Sequence, residues 1–133
     1  MKRHFTCLLL SVVVSGCSDE PGAAASHPKG DKPHHPWEWQ PDDPELAHGR
    51  DVYSQTCGLC HNEGEQGAPS LGNAARWKAR LTKGPDTLVR NAIEGFKGED
   101  GKMPPRGDND DLTDADVTAA VKFMLASLNR ITP

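Results

Sequence analysis

Two thiols and an imidazole crowd into five residues, Cys57-Gly58-Leu59-Cys60-His61, near the middle of a 133-residue chain. Any fold this chain adopts must give those three groups a common task. A disulfide between Cys57 and Cys60 would close so short a loop that it would constrain little of the unfolded chain. Structural zinc needs four ligands, and this segment offers three, with no second cysteine pair and no nearby histidine pair. A thioredoxin-like redox pair expects a strand ahead of the motif, whereas the residues before Cys57 carry helical signals.

The spacing suits covalent attachment of haem. Thiols two residues apart reach both vinyl groups of one porphyrin, and a histidine directly after the second thiol falls under the iron. A second axial ligand must then come from elsewhere in the chain, and the candidates are Met103, Met124, His48 or none. Met124 falls on the apolar stripe of the last predicted helix and reads as core. His48 falls in the first predicted helix at a position read as solvated. Met103 lies in Gly101-Lys102-Met103-Pro104-Pro105-Arg106-Gly107, a loop stiffened by two prolines, and is the favoured ligand.

The other two cysteines are spoken for by an address. Met1-Lys2-Arg3 is basic, Leu8 to Val14 is apolar, and Val14-Ser15-Gly16 places small residues ahead of Cys17. Residues 1–16 therefore read as a lipoprotein signal peptide, with the mature chain starting at a lipidated Cys17. An apolar stretch of roughly ten residues is too short for the ~20 of a spanning helix. By the Gram-negative sorting rule, Ser18 after Cys17 slightly favours the periplasmic face of the outer membrane over the inner one. Cys7 leaves with the signal.

Residues 17–42 read as a Pro- and His-rich tether with almost no apolar periodicity. His27, His34 and His35 are more economically spacer histidines than metal ligands, because no regular element fixes their geometry. Trp37 and Trp39 either fold back onto the domain or meet a partner. Residues 43–133 form the domain. Asp43-Pro44-Glu45 opens a helix expected to run to about Gln55, and Gly49 on its inner face predicts a close crossing by the last helix. Thr113 to Asp116 resembles a capping box, followed by a stripe of Val117, Ala120, Val121, Met124, Leu125 and Leu128, with Phe123 beside it. Between these lie a segment capped by Asn73 with Trp77 and Leu81 inside, and one opened by Pro85 with Leu88, Val89, Ala92 and Ile93 inside and Gly95 at its end. No strand pattern appears, so the reading is all-α with about four helices.

Composition supports a bound group. Hydrophobic residues make up only 35% of the chain, part of that in the signal, which is thin for a small domain unless a ligand's apolar faces join the core. Once Lys2 and Arg3 are gone, 13 basic residues face 19 acidic ones, and no basic stripe for nucleic acid remains. Glu99, Asp100, Asp108, Asp110 and Asp111 flank Met103 and read as a solvated acidic face able to steer a basic partner.

These residues together resemble a class I cytochrome c, and within it the cytochrome c-five group of bacterial electron carriers. The resemblance rests on Tyr53-Ser54-Gln55-Thr56-Cys57-Gly58-Leu59-Cys60-His61, Gly67-Ala68-Pro69, Trp77, Leu81-Thr82-Lys83-Gly84 and Met103-Pro104-Pro105-Arg106-Gly107, and spans about Leu46 to Leu128. It implies the class I fold, with N- and C-terminal helices crossing and one covalent haem c held by Cys57 and Cys60. His61 Nε2 and Met103 sulfur would be the axial ligands, and the Pro69 carbonyl would accept from His61 Nδ1. Tyr53, Trp77 and Pro104 would support the pocket with Pro69. The family often carries a disulfide after the Met loop, and Gly107 to Asp111 has no cysteine. The implied function is one-electron transfer rather than enzymatic catalysis, with a terminal oxidase, a reductase or a periplasmic dehydrogenase as partner. A haem peroxidase or gas sensor, with Arg106 as the distal polar group, is the rival reading. A metal-handling lipoprotein ranks last, since it leaves Cys57 to His61 unexplained.

Overall fold

The computed structural model describes residues 35–131, all within one unit that begins at Lys32. The signal peptide, Cys17, His27 and His34 lie outside the described residues. Helix α1 (Pro44–Val52) starts as the sequence predicts, with the Asp43 side chain accepting from the Leu46 N–H. It does not stop near Gln55. The helical path widens into a π turn (Tyr53–Cys57), where the Gly58 N–H reaches back to the Tyr53 carbonyl, and continues as α2 (Gly58–His61).

Helix α3 (Ala74–Leu81) is capped by Asn73, and α4 (Pro85–Glu94) begins at its proline and ends at Gly95. A short antiparallel hairpin follows, β1 (Phe96–Lys97) and β2 (Lys102–Met103), pairing Phe96 with Met103. Two residues per strand are too few to show alternation, so the sequence pattern predicts only a loop here. Helix α5 (Asp114–Ile131) closes the fold. The capping box is present: the Thr113 N–H donates to Asp116 Oδ2, and the Asp116 N–H to Thr113 Oγ1. With α1, the π turn and α2 taken as one rod, the described residues hold four helical rods and little strand.

The frame is the crossing of α1 on α5. Gly49 makes it possible: a methyl group there would overlap the Ala119 carbonyl, so the two backbones meet without side chains between them. Lys122 Nζ to Glu45 Oε1 at 2.6 Å and His48 Nε2 to Asp116 Oδ1 at 2.7 Å lie along the rim of the crossing. Helix α5 buries two faces. Ala120, Phe123, Met124 and Leu128 pack with Val52, Tyr53, Leu71 and Trp77, while Val117 and Val121 pack with Ala92 of α4. Phe123, read as lying beside the stripe, is fully buried and sits against the Tyr53 ring at 5.5 Å.

Trp37 and Trp39 pack onto the first of these clusters, and Trp39 also stacks on Phe123 and under Arg130. The last part of the stretch read as tether is therefore seated on the domain.

Candidate functional site

A cleft of about 530 Å³ opens between α2, α3, α4, α5 and the β2 loop. Cys57, Cys60 and His61 line one side, and Met103 and Pro104 also line it, with Leu88, Ala92, Val117, Val121 and Met124 supplying apolar wall. The π turn delivers the first group: Cys57 is its last residue, and α2 carries Cys60 and His61. Before haem is attached, burial pushes the free Cys57 thiol up to about 11, opposed by a backbone hydrogen bond and reinforced by the neighbouring Cys60.

His61 is buried, and its Nδ1 lies 3.0 Å from the Pro69 carbonyl. That bond makes Nδ1 the donor, so the neutral ring presents the lone pair of Nε2, which no described residue hydrogen-bonds. Burial lowers the His61 pKa from its ordinary value, the Pro69 contact opposes this, and the Arg80 charge adds to it. Each effect that wins favours the neutral, ligating form.

The loop behind His61 is tied at several points. The His61 carbonyl accepts from the Leu71 N–H, Ser70 Oγ donates to the Asn62 carbonyl at 2.6 Å, and Trp77 Nε1 donates to the Ser70 carbonyl at 2.9 Å. Trp77, its ring tilted 38° to that of His61 at 5.8 Å, lines the cleft, as do Pro69 and Pro104. Tyr53 does not line it. Its ring is in the core, four residues after Gly49 on the face that meets α5, and its hydroxyl donates to Asn62 Oδ1 at 2.7 Å, so it braces the residue after His61. Asn62 and Ser70 had no signal in the sequence, being polar residues in a loop.

The other candidates are engaged in other contacts, although Met124, Arg106 and Asp100 also line the cleft. His48 is exposed and paired with Asp116, and Met124 is core as well as cleft wall. Arg106 donates to the Leu112 carbonyl at 2.9 Å and pairs with Asp114 at 2.6 Å, which occupies its guanidinium. Asp100 is bound by Arg76 and Arg80, and the Arg80 hydrogen bond, with the Arg76 charge, holds its carboxyl below the usual range. The acidic face that flanks Met103 is weaker by that one charge than the sequence implies. His35 stacks on Trp37 at 4.4 Å, and among the described residues no group of three or more His, Cys, Asp or Glu comes together to hold a metal ion.

A family model described as "Cytochrome C oxidase, cbb3-type, subunit III" matches residues 44–124, most of the described domain. A cytochrome c-555 of Chlorobaculum thiosulfatiphilum is 42% identical over 81 residues, 61% of this chain and 94% of that protein. The chain is a class I c-type cytochrome. Its relatives also include a cytochrome c5 of Ectopseudomonas mendocina, 34% identical over 76 residues, 56% of this cytochrome and 83% of that one. Among solved structures, a chain in the "Crystal structure of electron transfer complex of nitrite reductase with cytochrome c" is similar at a TM-score of 0.54 and 34% identity, covering 65% of this chain and 96% of that one. The cytochrome therefore has the class I fold, carries one covalent haem c, and belongs to the c5-like group of electron-transfer proteins. Its cleft fits that group: apolar walls, two thiols on one side, and an imidazole left open at Nε2.

Proposed function

We propose that this cytochrome is a lipid-tethered periplasmic electron carrier, not an enzyme, whose haem is held by Cys57 and Cys60 and ligated by His61 Nε2 and Met103 sulfur. The observation that carries the reading is that Cys57, Cys60, His61 and Met103 line one cleft while Pro69 fixes the His61 tautomer. The haem supplies a one-electron couple, Fe(III)/Fe(II), and histidine–methionine ligation raises its potential relative to other ligand pairs. The chain's own residues do the rest. Cys57 and Cys60 would anchor the ring by thioethers, and the Pro69 carbonyl keeps the His61 lone pair aimed at the cleft. Pro104 and Pro105 stiffen the backbone beside Met103, so the ligand set would change little between oxidation states.

Electron-transfer relatives, one of them in a solved complex with nitrite reductase, support a redox protein as partner. A terminal oxidase, a reductase or a periplasmic dehydrogenase fits this role. Cys17 would carry the lipid, with residues 18–34 as tether and the outer membrane slightly favoured; no described helix is long and apolar enough to cross a membrane.

The test is an optical spectrum of the holoprotein matured in an export-competent host. The weak near-infrared band of methionine sulfur on ferric haem is expected in the wild type and lost in Met103→Ala. A high-spin or bis-nitrogen wild-type spectrum overturns Met103 as ligand and brings the peroxidase or sensor reading forward. Cys17→Ala is expected to move the cytochrome from the membrane to the soluble periplasmic fraction; unchanged membrane association would overturn the lipid anchor.

A further inference from the structure

The loop on the His61 side of the cleft and the hairpin on the Met103 side touch. The first runs through Gln66 and Gly67 to Pro69; the second runs from β1 through Asp100 and Gly101 to Met103. A methyl group on Gly67 would overlap the Asp100 carbonyl, and one on Gly101 would lie 2.5 Å from the Gln66 carbonyl. Backbone rests on backbone, an approach that only glycine permits.

Charges sit over this contact. Arg76 Nη2 donates to the Gly67 carbonyl at 3.2 Å and lies 3.1 Å from Asp100 Oδ2, while Arg80 Nη2 lies 2.9 Å from the same oxygen. One guanidinium thus bonds both loops, and one carboxylate oxygen gathers both guanidiniums. The arginines project from α3, which is pinned by the buried Trp77 between them and its bond to Ser70. Arg80 is held in turn by donating to the Arg76 carbonyl at 2.6 Å.

We propose that Arg76, Asp100 and Arg80 form a clasp that holds the Met103 hairpin shut against the His61 loop, and so sets how readily the distal ligand yields its place. The proposal deepens the reading of Met103 as distal ligand and rests on it. Magnitudes place the effect on local opening and not on global stability. All three side chains are partly exposed, and exposed pairs contribute little to a whole fold. The hairpin, however, has two residues per strand, joined beyond them by Gly98 N–H to the Gly101 carbonyl, and segments with so few contacts open at small cost. Against that small cost a three-membered charge cluster is a large share, and it is one that salt screens.

The experiment compares wild type with Asp100→Asn, both as ferric holoprotein, by cyanide titration and by hydrogen exchange of the amides of residues 96–103. Cyanide enters by replacing the distal ligand, one bond to ferric iron broken and one formed with no electron transferred. Asp100→Asn is expected to bind cyanide roughly three- to tenfold more tightly and to exchange the hairpin amides faster by a similar factor, with nearly the wild-type melting temperature. Raising salt to about 0.5 M should move the wild type toward the variant and leave the variant where it is. If the near-infrared methionine band is present and the variant matches wild type in both cyanide affinity and exchange, the clasp is overturned while the ligand reading stands. A missing band in the wild type overturns the ligand reading instead, and faster hairpin exchange in the variant would still report the clasp as a mechanical one.

Discussion

Tyr53 is the only tyrosine in the chain, 1% exposed, and its hydroxyl bonds Asn62 beside the proposed proximal ligand. Burial raises its pKa well above the ordinary 10. A raised pKa means that the folded state holds the proton longer than the unfolded one, so this contribution is complete below pH 10 and is lost as pH rises beyond it. Alkaline titration followed near 295 nm should therefore show no phenolate until the fold opens, in one step with loss of far-ultraviolet helicity; a smooth titration near pH 10 in the folded protein would refute the burial. Tyr53→Phe, which leaves Asn62 Oδ1 without its donor, should cost about 1–2 kcal/mol in guanidinium unfolding of the holoprotein. At this scale the sequence is clear about groups whose chemistry is written in spacing, such as Cys57, Cys60 and His61, and it singles out Met103, while Pro69 enters only through the family resemblance. It is silent on Asn62, Ser70 and the Arg76–Asp100–Arg80 cluster, because a loop polar residue acquires its role only when the chain brings a partner to it.

The elements show the same division. Caps are local, and those at Asp43, Asn73 and Thr113 lie where residue types and spacing predict them. Asp116, held by Thr113 and His48, has its carboxyl brought down to about 2. A depressed pKa gives stability that is present above the unfolded value near 3.8 and lost as pH falls toward 2. The difference in melting temperature between wild type and Asp116→Asn should hold at pH 5 and close between about pH 4 and pH 2, as read by circular dichroism; a gap that persists at pH 2 would contradict it. The α1–α5 crossing was also legible, from one glycine in a helix and one apolar stripe. Gly49→Ala must push the helices apart against the Ala119 carbonyl, and a loss of about 2 kcal/mol or more is expected, a fall of roughly 10 °C in melting temperature for a domain of this size. The hairpin and the full burial of Phe123 were not legible. One is too short for a period, and the other depends on α5 packing against elements on two sides.

For the molecule as a whole, the cleft of about 530 Å³ lies between the same helices that make the core, with Ala92, Val117, Val121 and Met124 serving both. Without haem the cleft that these side chains line would be left open to water in a chain that is only 35% hydrophobic. A Cys57→Ser/Cys60→Ser double variant, which cannot attach the group, should lose most of its helical circular dichroism and its amide dispersion; a native-like spectrum would show that the fold stands alone. Trp37 and Trp39 extend that core beyond the boundary read at residue 43, which composition could not reveal because prolines and charges surround them. The π turn has a further consequence. An α-helix advances about 100° per residue, so the one extra residue in a π turn resets the angular phase of everything after it. Ahead of the turn, α1 is oriented by its crossing with α5; beyond it, α2 is oriented by the cleft. Were residues 53–57 wound as plain α-helix, a rod seated correctly on α5 would point His61 about a quarter turn away from the cleft. The widened turn lets one continuous rod satisfy two partners that demand different azimuths.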